Sequence, residues 1–122
     1  MIKYKAMRLV KTLRSGTYKQ GRDTLVDEND CFCVMGVVCN ESETDLEWWQ
    51  EFDGEWFIGR DNYQLPQKIQ REYGFYSPSG ERSDGKLVEI KGVEYLSLIN
   101  ANDNGVSFED LADYIEKNYK VL

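Results

Sequence analysis

Residues 107–119, Ser-Phe-Glu-Asp-Leu-Ala-Asp-Tyr-Ile-Glu-Lys-Asn-Tyr, carry the strongest structural signal in the chain. Phe108, Leu111, Ala112, Ile115 and Tyr119 recur at i, i+3, i+4, i+7 and i+11, which lays one apolar stripe along a helix. Ser107 stands where an N-cap belongs, and Asp110 three residues on gives a weaker form of the capping box. A one-sided helix must bury its stripe against another element. The opposite end of the chain supplies one. Ile2, Ala6, Leu9, Val10 and Leu13 have helical spacing over residues 3–15, with Lys5, Arg8, Lys11 and Arg14 left on the polar side. Gly16 then suits a left-handed cap. The fold expected is an α-rich α+β domain spanning residues 1–122, its N- and C-terminal helices packed together.

Between these helices the signals are shorter. Thr17–Gly21 has no period and reads as a loop, and the acidic residues 27–30 read as an exposed turn. Phe32–Cys39 is an apolar run whose small residues suit helix packing and whose valines suit a strand; it is read as a helix. Asn40–Glu47 is a polar, acidic loop. Trp48, Trp49, Phe52, Trp56 and Phe57 flank Asp53-Gly54, a dipeptide that favours a type I′ hairpin turn. Leu65-Pro66 opens a helix that Gly74 closes. Residues 77–86 are rich in Ser, Gly and charge and are the expected site of disorder. A short strand is expected over Lys86–Ile90, and a brief helix over Val93–Ile99 with Val93 and Leu96 inward.

Composition excludes several kinds of chemistry. The 122 residues contain no histidine, which removes Ser-His-Asp, Cys-His and His-ligated zinc sites. Cys31, Cys33 and Cys39 are odd in number and lack a common metal spacing, so they read as reduced, buried thiols with no metal or cofactor. Asn100–Gly105 resembles a calcium loop only at its glycine. Asn100 occupies the first position and Leu111 the twelfth, so a tight turn at Asn104-Gly105 is the better reading. No nucleophile lies beside a base, and no enzymatic activity is expected. No apolar run approaches the roughly 18 residues of a membrane helix, and the charged N-terminus has no signal-peptide core.

Charge is sorted along the chain. Residues 1–22 hold seven bases and no acid; residues 23–55 hold eleven acids and no base. Either the two blocks neutralise one another in the fold or they form separate surfaces. The net charge of −7 disfavours direct nucleic-acid binding. A basic loop could still take a small phosphate compound. Arg14, Lys19 and Arg22 could hold phosphate oxygens, Tyr18 could stack on a base, and Gln20 could read a polar edge. The aromatic group from Trp48 to Phe57 is read as core rather than as a binding platform.

Leu13-Arg14-Ser15-Gly16-x-Tyr18-x-Gln20-Gly21-Arg22 and Cys31-Phe32-Cys33-x-x-Gly36-Val37-x-Cys39 resemble motifs of a widespread family of small tailed-phage and prophage proteins. Leu65-Pro66, Leu98-Ile99-Asn100 and Asn102-Asp103-x-Gly105-x-Ser107-Phe108-Glu109-x-Leu111-Ala112-Asp113-x-Ile115-Glu116 are similar to that family too. The resemblance departs at Phe32, which separates two cysteines that are usually adjacent, at Asn40, and across the tryptophan region. It implies a phage accessory protein of the host bacterial cytoplasm and no particular activity. Two functions are expected in that setting, both without catalysis. One is capture of a small anionic, nucleotide-like ligand by Arg14, Tyr18, Lys19, Gln20 and Arg22, as counter-defence. The other is docking of the acidic block on a basic host protein in the manner of a nucleic-acid mimic. A structural part of the virion is a third reading, and self-association into a homo-oligomer stays open.

Overall fold

The computed structural model describes residues 1–122. Its elements are α1 (Lys3–Arg14), α2 (Val34–Asn40), β1 (Trp48–Gln50), β2 (Trp56–Ile58), α3 (Gln67–Tyr73), β3 (Val88–Ile90), β4 (Val93–Tyr95), α4 (Leu98–Asp103) and α5 (Phe108–Asn118). A 3-10 turn over Tyr119–Val121 follows α5. The architecture is α+β: helices around one core, with two separate antiparallel strand pairs. No helix is long and apolar enough to cross a membrane.

The two amphipathic helices meet as their stripes require. Ala6, Leu9, Val10 and Leu13 of α1 are buried, as are Phe108, Leu111, Ala112 and Ile115 of α5, and the two helices pack on one another. The Ser107 hydroxyl accepts from the Asp110 N–H at 3.1 Å and starts α5. Beneath this pair lies α2, in which every residue from Val34 to Cys39 is buried. An all-round apolar helix is the expected form of a central segment, so the run 32–39 is helical from Val34 onward. Phe32 stays extended because Cys33 caps the helix, its Sγ accepting from the Gly36 N–H at 3.4 Å.

One backbone crossing fixes where α2 sits. Leu25 passes so close to Gly36 that a Cβ there would lie 2.0 Å from the Leu25 carbonyl oxygen. The same carbonyl accepts from the Cys33 N–H at 3.1 Å, and the neighbouring Val26 carbonyl accepts from the Trp56 N–H at 3.1 Å. The segment 25–26 therefore links the buried helix to the aromatic hairpin.

Both hairpins differ in detail from the sequence expectation. In β1–β2, Trp48 pairs with Ile58 and Gln50 with Trp56. The Gly54 N–H donates to the Glu51 carbonyl, and only Gly54, at φ 96°, enters the left-handed region. That is a three-residue loop closed by a glycine bulge, not a type I′ turn. The tight two-residue turn is instead Lys91-Gly92, with φ of 51° and 79°, between paired Ile90 and Val93. Residues 93–97 are thus no helix. Val93 starts β4, and Val93 and Leu96 are both exposed. Helix begins after Ser97, whose hydroxyl accepts from the Asn100 N–H, and it ends at Asp103, ahead of the expected turn at Asn104-Gly105.

Residues 77–86 also depart from expectation, since the loop is fastened at both ends. The Pro78 and Gly80 carbonyls accept from Leu65 and Leu98, the Ser83 N–H donates to Val121, and the Arg82 guanidinium reaches the Tyr114 hydroxyl at 2.9 Å.

The Gly36–Leu25 crossing leaves no room for a methyl group, and backbone cannot move aside cheaply. Gly36→Ala is expected to lower stability by about 3 kcal/mol or more. Urea unfolding would measure it, and a midpoint equal to wild type would contradict the crossing.

Candidate functional site

The loop after α1 brings the five candidate ligand residues near one another in sequence, but their side chains serve different neighbours. Gln20 is fully engaged. Its Nε2 donates to Asn102 Oδ1 at 2.9 Å and to the Val106 carbonyl at 2.8 Å, and its Oε1 accepts from the Phe108 N–H at 3.0 Å. Asn102 is completely buried; its Oδ1 also accepts from the Val34 N–H, and its Nδ2 donates to the Gly21 carbonyl. Arg14 bonds Asp113 at 2.6 Å and Glu116 at 3.2 Å, with Glu109 at 3.9 Å, and these carboxylates hold its guanidinium firmly charged. Lys19 and Arg22 are exposed and form no ion pair. The Tyr18 hydroxyl donates to Glu41 and accepts from Asn40 Nδ2, while its ring meets the edge of Phe32 at 4.8 Å. Neither Gln20 nor Asn102 betrays this role locally, because their partners lie about eighty residues away in the sequence.

The charge blocks meet only in part. Lys5, nine-tenths or more buried, reaches Glu72 at 3.1 Å and Glu43 at 3.6 Å, and Arg8 reaches Glu43 at 3.0 Å. Tyr73 places its ring 5.3 Å from the Lys5 ammonium. Glu72 is the acceptor that ties α1 to residues 42–44. Burial pushes its carboxyl upward, but hydrogen bonds from Ser42, Thr44, the Glu43 N–H and Lys5 outweigh it and bring the pKa down to about 2. Of the eleven acids in residues 23–55, only Glu43 sits in an ion pair.

Several of the unpaired acids lie at the aromatic hairpin, among them Glu51, Asp53 and Glu55. Phe52 projects from the tip entirely into solvent, and Trp49 is also exposed, stacked on Phe57 with ring centroids 4.7 Å apart. These two aromatics are surface rather than core, which corrects the sequence expectation; nothing in apolar spacing distinguishes a hairpin tip from a strand interior. Glu51 and Asp53 flank Phe52, and Glu28 abuts the turn at Gly54. Behind the tip, Val26, Phe32, Trp48 and Trp56 line a groove of about 240 Å³ with Asp30 and Asn40 at its polar side. The three cysteines are free thiols. All are buried, and burial pushes Cys33 up to about 12 and raises Cys39 as well, which favours the neutral thiol. No group of three or more cysteine or carboxylate side chains converges as metal ligands would.

The geometry defines an α+β domain in which Tyr18, Gln20 and Asn102 bond within the fold, Lys19 and Arg22 stay unpaired, and an acidic, aromatic hairpin is exposed. A family model described as a domain of unknown function, DUF8296, matches residues 2–119, and the chain belongs to that family. No curated protein and no solved structure matches it.

Two outcomes follow for the polar frame. Asn102→Ala strands the Val34 N–H, the Gly21 carbonyl and one Gln20 donor, and is expected to cost about 3 kcal/mol in urea unfolding, against about 2 kcal/mol for Gln20→Ala. Losses below half of these values would show that water replaces the amides. For Glu72, a folded pKa below the ordinary 4.5 means that its contribution is complete above that pH and disappears as pH falls through about 2. The stability gap between wild type and Glu72→Gln should therefore close across that acidic range. A gap independent of pH would rule out a charged Glu72 as the cause.

Proposed function

We propose that this protein is a non-enzymatic binding protein that docks its acidic aromatic hairpin on a basic surface of another protein. The observation that carries the reading is Phe52, wholly exposed at the hairpin tip beside the unpaired carboxylates of Glu28, Glu51 and Asp53. A large apolar side chain held in water on a short turn has most to gain from entering a partner's pocket. Unpaired acids around it steer a cationic surface and reject an anionic one. In the tailed-phage setting that the sequence resemblance implies, the partner is a basic host protein and the effect is to block it.

Capture of a small anion by the loop is less well supported. Arg14 would have to leave three carboxylates, and Gln20 has no amide hydrogen to spare. Only Lys19 and Arg22 remain free to meet a phosphate.

The reading is tested by affinity capture from bacterial lysate with three baits: wild type, Phe52→Ala, and the combined Glu28→Gln, Glu51→Gln, Asp53→Asn variant. A basic protein should be retained by wild type alone and should elute as salt rises from about 0.05 M to about 0.5 M. Equal retention by all three baits, or a complex indifferent to salt, would overturn it. All three baits should share one melting temperature, because none of these side chains packs in the core.

A further inference from the structure

We infer that the groove behind the hairpin is a receptor for a single arginine side chain of the docked partner. The inference rests on the docking reading above and adds the residue chemistry that the partner must present. Three aromatic rings, Phe32, Trp48 and Trp56, form the walls together with Val26, and Asp30 and Asn40 supply the polar side. The Asp30 carboxylate has no hydrogen-bond or ion-pair partner within the chain; its backbone N–H alone is used, donating to the Asp27 carbonyl at 3.1 Å. No basic side chain lines the groove, and none occurs anywhere in residues 23–55.

Aromatic faces attract cations through their ring quadrupole, and a carboxylate at the rim adds a directed acceptor. Among cationic side chains arginine fits best. Its guanidinium is planar, weakly hydrated and able to stack on indole while its N–H groups reach a carboxylate, whereas a lysine ammonium is compact and holds its water. A purely apolar side chain would desolvate Asp30 without replacing the lost hydrogen bonds. The size agrees with one side chain: about 240 Å³ lies below the roughly 300–1,000 Å³ of pockets that enclose whole small molecules.

Two walls of the groove are held by the loop motif. Tyr18 packs against Phe32 and bonds the Asn40 amide, so this conspicuous tyrosine shapes the groove instead of stacking on a nucleotide. Asp30 sits at φ 57°, a backbone region that asparagine shares with aspartate at little cost. Asp30→Asn therefore removes the charge and leaves the turn intact.

The test is a titration of the full chain with N-acetyl-arginine methylamide and with a tri-arginine peptide, followed through the three indole N–H resonances. Trp48 and Trp56 should shift and saturate. Trp49, whose indole N–H is bonded to the Gly59 carbonyl on the other side of the hairpin, should not. Asp30→Asn should weaken the tri-arginine interaction at least about tenfold with an unchanged melting temperature. The matching lysine and citrulline compounds should bind more weakly. An absence of saturable shifts, or equal binding by Asp30→Asn, by lysine or by citrulline, would overturn the inference. If the titration fails while Phe52→Ala still abolishes protein capture, the arginine site falls and the docking face stands. If neither responds, both fall.

Discussion

Two side-chain amides, Gln20 and Asn102, hold the rest of the structure in place. Asn102 Oδ1 accepts from the first N–H of α2, and Gln20 Oε1 accepts from the first N–H of α5. Helix starts carry N–H groups with no intrahelical partner, and at these buried ends water is not at hand to satisfy them. The amides bond each other at 2.9 Å and take up the Val106 and Gly21 carbonyls with their remaining hydrogens. No buried side-chain nitrogen or oxygen in the chain lacks a partner. A polar cluster satisfied to this degree specifies one arrangement of its elements, because any slip leaves a group unpaired at a cost of about 1–3 kcal/mol.

That constraint reaches the candidate binding face through the backbone. Clamping Gly21 fixes the path of residues 22–26, with the Asp103 carboxylate accepting from the Asp23 N–H at 2.9 Å. Leu25 then crosses α2 at Gly36, and Val26 pairs with Trp56, the first residue of β2 after the hairpin turn. Tyr18, from the same clamped loop, sets Phe32 and Asn40. Gln20 and Tyr18 thus have their polar groups bonded within the fold, whereas Lys19 and Arg22 stay exposed and form no ion pair. The basic helix is absorbed in a similar way: Lys5 and Arg14 spend their charge on α3 and α5, which leaves most of the acids of residues 23–55 facing solvent.

Much of the helical frame was legible in the sequence. Apolar stripes placed α1 and α5 within a residue or two, and Gly16, Gly74 and Ser107 marked ends by local chemistry that tertiary contacts did not override. Failures cluster where the informative residues are few or distant. The β3–β4 hairpin is only three residues a side, and Val93 and Leu96 mimic helical spacing although both face solvent. The 77–86 loop looked mobile by composition, yet its order comes from Val121, Leu65 and Leu98, which no local window contains. The same blindness covers the site. Gln20 reads as a polar loop residue until Asn102 is beside it, and Phe52 reads as core until the hairpin turns it outward.

Hydrogen exchange at the Val34 and Phe108 amides tests the amide pair most directly. Each is a first-turn N–H whose only partner is one of the two side chains, so its protection reports on them and not on a helix ladder. If the pair holds the frame, both amides exchange only with global unfolding, at rates matching core positions such as Val10 and Ile115 and with the same denaturant dependence. Fast exchange of either, through a local opening insensitive to denaturant, would show that the loop of residues 15–22 detaches on its own and would contradict the scaffold role assigned to Gln20.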